Sequence, residues 1–100
     1  MNELLEKIRN WGLSRKIIQN SNPMSQAIKT LEETTELLDA IQTNNMAEIE
    51  DAIGDVAITL VIVCGTLGID FQKCVDGSYK VIEHRTGYLR EDGVFIKDES

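Results

Sequence analysis

The sequence predicts an all-α fold: a four-helix-bundle-like domain that ends in a short extended tail. Three observations carry that expectation. Apolar residues recur at three- and four-residue spacing through most of the chain. One proline and five aromatic residues leave little material for a sandwich of short strands. Helix-boundary signals divide the chain at Ser21-Asn22-Pro23, Asn44-Asn45 and Gly68-Ile69-Asp70. One hundred residues make a single domain, 1–100, with a small core.

The first helix is expected over about 2–19, with Leu4, Ile8, Trp11 and Ile18 at helical spacing and Gly12 as a candidate interruption. The second, about 23–43, starts with a cap followed by proline at the first helical position. Its apolar stripe is Ala27, Ile28, Leu31, Leu38 and Ile41, while Gln26, Lys29, Glu33 and Glu36 share another face. The third, about 46–67, opens on acids, which suit the positive end of the helix dipole. From Val56 to Cys64 it is apolar almost all round, which implies burial on every side. In so small a domain, complete burial implies a partner subunit, and a homodimer is the expectation. The fourth, about 70–85, follows a glycine exit and an aspartate cap, and is expected to bury Phe71, Cys74, Val75, Ser78 and Ile82. In the tail, 86–100, Asp92-Gly93 before Val94-Phe95-Ile96 marks a turn and an extended segment.

Composition excludes several classes. The net charge of −7 argues against nucleic-acid binding, which needs basic surface. The apolar run Val56–Cys64 is too short to cross a bilayer. Met1-Asn2-Glu3 lacks the basic start of a secretion signal, so the expected location is cytoplasmic, with no membrane partner. Cys64 and Cys74 make neither a disulfide scaffold nor a zinc site with His84, and read as buried free thiols. Neither a glycine-rich phosphate loop nor a Ser or Cys nucleophile with a histidine partner is evident.

The charge pattern is the feature that calls for chemistry. Between Lys29 and Lys73 there is no lysine or arginine, yet nine of the seventeen acids lie there. Seven form two clusters, Glu32-Glu33-x-x-Glu36 and Glu48-x-Glu50-Asp51-x-x-x-Asp55. On the second helix the carboxylates lie roughly opposite the apolar stripe, as on an ordinary solvated face. On the third, Asp55 sits where a polar face turns apolar, and a carboxylate there is costly unless paired or metal-bound. If the two helices pack antiparallel across Asn44-Asn45, the clusters converge. Hard cations such as Mg²⁺ or Mn²⁺ take oxygen ligands of this kind. Of the bases on the fourth helix, Lys80 reads as solvated, while Arg85 shares a face with Ser78 and Ile82 and can point inward.

These residues resemble a known family. Glu-Glu-x-x-Glu on one helix, then an acidic cluster ending in Gly54-Asp55-Val56 on the next, resembles the MazG-type nucleotide pyrophosphohydrolases of the all-α NTP pyrophosphatase superfamily. Trp11 with Arg15 is similar to the family's first-helix pattern, and Gln26-x-x-Lys29 to the approach to its first motif. Tyr79 through Arg85, and Asp92 through Lys97, resemble the short phage-associated members. One position departs: the second motif is commonly Glu-x-x-Asp, and here Ala52 stands three before Asp55. Asp51 or Glu48 is the candidate replacement.

The resemblance implies a MazG-type fold that oligomerises through its helices, as a homodimer or homotetramer. It implies Mg²⁺- or Mn²⁺-dependent hydrolysis of a nucleoside triphosphate, a dNTP in particular, to a nucleoside monophosphate and pyrophosphate. Glu33, Glu36 and Asp55 are the implied catalytic ligands, with Glu32 and Asp51 completing the metal set. Trp11 and Gln26 are implied near the base, and Lys29, Lys80 and Arg85 near the phosphates. Two other readings stand beside this one. The same fold can bind or sense nucleotides without turnover, or the chain can be a structural helical oligomer with acidic outer faces.

Overall fold

The computed structural model describes residues 2–98. Five helices and a hairpin follow in order: α1 (Asn2–Ser14), α2 (Ile17–Asn20), α3 (Pro23–Gln42), α4 (Met46–Leu67), α5 (Phe71–Ile82), β1 (Gly87–Leu89) and β2 (Phe95–Lys97). The caps are those the sequence signals. The Asn22 side chain accepts from the Ser25 N–H (2.8 Å), with Pro23 at the start of α3. Asn45 does the same for Glu48 N–H at the start of α4 (3.2 Å). Gly68, at φ 70°, closes α4 in the left-handed region, and Asp70 caps α5.

The first expected helix is two helices. The break is at Lys16, which takes φ 63°, and not at Gly12. Gly12 is a packing position: a Cβ there would lie 2.7 Å from Ile62 Cδ1 and 3.0 Å from Ile18 Cδ1. The break turns α2 back so that Ile18 also abuts Gly65 of α4, where a Cβ would meet its Cδ1 at 2.7 Å. Two glycines thus let α1 and α2 close on the C-terminal half of α4.

The long helices α3 and α4 pack antiparallel, and here the expected orientation of α3 is reversed. Ala27, Ile28, Leu31, Leu38 and Ile41 all face outward, Leu31 at 66% and Leu38 at 62% exposure. The face that meets α4 is Gln26, Thr30, Glu33, Leu37 and Ala40. Glu33 is therefore turned inward, while Glu32 and Glu36 stay exposed beside it. In α4, Thr59, Val61, Ile62 and Cys64 are buried, but Ala57, Ile58 and Leu60 remain exposed, so burial on every side is not reached within one chain.

The chain bends by 107° between α4 and α5. In consequence α5 meets the bundle only near its start. Phe71 is half-buried, whereas Cys74, Val75, Ser78 and Ile82, expected in the core, are exposed. Cys64 is buried as expected, but Cys74 is not. The helix also ends at Ile82, which leaves Arg85 beyond it and exposed. The tail is a hairpin with Gly87 opposite Lys97, Tyr88 opposite Ile96 and Leu89 opposite Phe95. Asp92 holds its turn by accepting from Arg90 and from the Val94 N–H. No single helix among the described residues is long and apolar enough to cross a membrane.

Candidate metal centre

Two threonines set the register of the α3–α4 pair. The Thr30 hydroxyl donates to Thr59 Oγ1 (2.8 Å), and Thr59 donates to the Val56 carbonyl (2.8 Å). Glu33 lies three residues past Thr30, and Asp55 four residues before Thr59. Antiparallel packing therefore brings the two acids face to face. Glu36, one turn on along α3, joins them. Glu33, Glu36 and Asp55 each offer one carboxylate oxygen, and these atoms lie within 4.8 Å of one another.

Glu33 is 9% exposed. Its Oε1 lies 3.5 Å from Lys29 Nζ, while its Oε2 is buried with no hydrogen-bond partner. Leaving an ionised oxygen dry and unpaired is costly. The neighbouring groups record the same tension. A hydrogen bond with Glu33, then the Glu33 charge, pushes the Glu36 carboxyl above its ordinary range, with Asp55 adding to the effect. Asp55 is pushed up first by burial, then by the charges of Asp51 and Glu33. Lys29 opposes both shifts, and its own pKa is raised chiefly by its hydrogen bond to Glu32 and the Glu32 charge. Carboxylates this close repel one another, and a proton or a cation between them relieves the repulsion. A hard divalent ion fits this all-oxygen donor set and would take up the unpaired Glu33 oxygen.

The other acids stand further out. Glu32 is exposed and pairs with Lys29 (3.4 Å). Asp51 is exposed and reaches the cluster through its charge on Asp55. Glu48 is exposed in the first turn of α4. Ala52 is the buried member of this turn, 4% exposed, three residues before Asp55 on the same face. The departure from the second motif thus falls on an inward position, where a methyl group ligates nothing.

The proposed substrate contacts divide in two. Lys29 is beside the acids. Gln26 is half-buried one turn earlier on the same face, donating to Ser21 Oγ (2.9 Å). Trp11 is 46% exposed on α1, with the Arg15 guanidinium 6.0 Å from its ring centroid. Lys80 and Arg85, by contrast, leave with α5 and lie exposed. Among the described residues, no ion pair joins either to the acids. A cleft of about 540 Å³ lies elsewhere, where α1 and the start of α5 flank the end of α4. Cys64 in its wall is nine residues past Asp55, roughly 14 Å along the helix axis, and none of the three acids lines it. The unpartnered Glu33 oxygen lies with the carboxylates, outside that cleft. Thr30 and Thr59 were not visible in the sequence as site residues, since a hydroxyl pair across two helices leaves no spacing signature.

Residues 21–89 match the MazG nucleotide pyrophosphohydrolase domain. The chain belongs to the MazG nucleotide pyrophosphohydrolase family. The matched span holds α3, α4 and all three clustered acids. The MazG-type chain is also 33% identical over 70 residues to an uncharacterised 18.2 kDa protein encoded in the rep–hol intergenic region of Haemophilus phage HP1. That match takes in 70% of this chain and 43% of the relative, so the chain spans less than half the relative's length. No solved structure matches.

Proposed function

We propose that the chain hydrolyses a nucleoside triphosphate, a dNTP in particular, to a nucleoside monophosphate and pyrophosphate, with Mg²⁺ or Mn²⁺ at Glu33, Glu36 and Asp55. The observation that carries this reading is the buried, unpaired Glu33 Oε2 within a group of three converging carboxylates. Bound there, a divalent ion supplies charge neutralisation for the triphosphate and lowers the pKa of a bound water. The rest falls to the chain. The Thr30–Thr59 pair and Lys29 hold Glu33 in place. An acid left outside the metal's coordination is suited to take the proton of the attacking water. Glu32 and Asp51 flank the cluster as outer acids. Lys29 is placed to bind a phosphate oxygen, and Gln26 and Trp11 to contact the base.

The outward apolar stripe of α3 and the uncovered face of α5 are the surfaces assigned to a homodimer or homotetramer. Lys80 and Arg85 lie exposed on and just beyond α5, and the family resemblance is what assigns them to the phosphates. The substrate places the work in the cytoplasm, where nucleoside triphosphates are held. Pyrophosphate release from a panel of ribo- and deoxyribonucleoside triphosphates, with each metal, tests the proposal. Silence across the whole panel with both metals defeats it.

Ala52 favours a second reading, in which the same site binds a nucleotide without turning it over. Calorimetry would then show metal-dependent binding, with the triphosphate recovered intact.

A further inference from the structure

The α4–α5 junction carries a pair of groups that the hydrolytic site does not use. Cys64 lies four residues before Gly68, and Cys74 four after Asp70. Each is tied to the junction by its backbone. The Cys64 carbonyl accepts from the Ile69 N–H (3.0 Å), and the Cys74 N–H donates to the Asp70 carbonyl (3.2 Å). Gly68 holds the left-handed conformation at the corner, and the bend of 107° folds the two flanking turns toward each other. Cys64 lines the cleft there, beside Phe71 and Lys73 of α5. Cys74 is exposed, whereas Cys64 is buried. Cys74 lies three residues past Phe71, on the same face of α5 that Phe71 turns to this cleft; burial first, then the charge of Cys74, pushes the Cys64 thiol up. Because α5 meets the bundle only at this corner, whatever fixes the corner fixes the helix and hairpin beyond it.

We propose that Cys64 and Cys74 form a reversible dithiol–disulfide pair that clamps the α4–α5 hinge. The oxidant is a small disulfide such as glutathione disulfide. The exposed Cys74 thiolate attacks it, forming a mixed disulfide and expelling one glutathione thiolate. The Cys64 thiolate then attacks the Cys74 sulfur, closing the Cys64–Cys74 bond and expelling the second. Two electrons pass to glutathione disulfide, the two thiol protons go to solvent, and two reduced glutathiones leave. The bond closes a short loop across Gly68, which restricts the unfolded chain as well as the hinge.

The test uses the full chain, reduced or treated with glutathione disulfide. Expected are the loss of both titratable thiols, an intact mass lower by two hydrogens, and a peptide map joining Cys64 to Cys74 within one chain. Tryptic cleavage at Lys73 should slow at least about tenfold and the Tm should rise by several degrees, both reversed by dithiothreitol. Cys74→Ser, at an exposed position, should fold and show none of these changes. A stable glutathione adduct on Cys74 with Cys64 still free, or a bond only between chains, overturns the pairing. A Cys64–Cys74 bond that leaves Lys73 cleavage and Tm unchanged overturns the clamp. None of these readouts depends on nucleotide hydrolysis.

Discussion

The two faces of α3 are inverted relative to what their polarity announces. The inner face carries Gln26, Thr30 and the acid Glu33 beside Leu37 and Ala40, and it meets α4; the outer carries Ile28, Leu31, Leu38 and Ile41, yet it meets solvent. The inner face holds together through directed contacts, such as the Thr30–Thr59 bond at 2.8 Å. The outer has area and no cover among the described residues. Exposed apolar surface of this extent suits a protein partner, whereas a buried acid without a partner suits a cation. The contrast teaches that periodicity in a small helical protein can describe the assembly rather than the fold of one chain.

The largest effect should come from the inner face. Glu36→Gln or Asp55→Asn should lower pyrophosphate release by about 100-fold or more, since each removes a ligand of the metal that activates water. Circular dichroism should be unchanged, because Glu36 is exposed and Asp55 half-buried. Full activity in either variant would detach the acid cluster from the chemistry. The outer face should fail differently. Leu31→Glu should shift the chain toward monomer in light scattering, weakening association about tenfold or more, as expected for burying one leucine against placing a charge there. Unchanged mass at every concentration would break the comparison, leaving the stripe as bare surface.

Metal and pH should sharpen it. Glu36 and Asp55 are raised above their ordinary values of 4.5 and 3.8. Their protonated forms thus favour the fold. That contribution is complete below the ordinary values and is lost as pH climbs through the raised ones. The metal-free Tm should therefore fall modestly as pH rises from about 4 toward neutrality, the exposure of Glu36 keeping the effect small. Mg²⁺ should raise the Tm at neutral pH by binding only the native state, and Glu33→Gln should remove that rise. In chelator, the same variant should melt no lower than the parent, because it relieves repulsion at a buried oxygen. The smallest effect belongs to register: Thr30→Val should cost about 1 kcal/mol in denaturant unfolding, the net worth of one hydrogen bond.

Much of this was legible beforehand. Asn22-Pro23, Asn45, Gly68 and Asp70 announced their helix ends because caps act locally, through side chains and backbone a few residues apart. The convergence of Glu33, Glu36 and Asp55 followed from two acidic helices joined by a short turn. What stayed hidden was non-local. Spacing shows that α3 has two unlike faces, but not which one α4 covers. Lys16 carries no glycine-like signal for its left-handed turn, so α1 and α2 read as one helix. The apolar face of α5 was taken for core because an amphipathic pattern is the same whether its cover comes from its own chain or another. Ala52 was read as a departure from the motif, yet only packing shows that it faces inward.

The thinness of the core has a consequence of its own. The buried apolar residues are Ala40, Ala52, Val61, Ile62 and Cys64, and no side chain among the described residues is below 2% exposure. If a second copy supplies the missing cover, folding becomes a second-order event: diluting the protein is then a way of unfolding it, and any Tm must be quoted with the concentration at which it was measured.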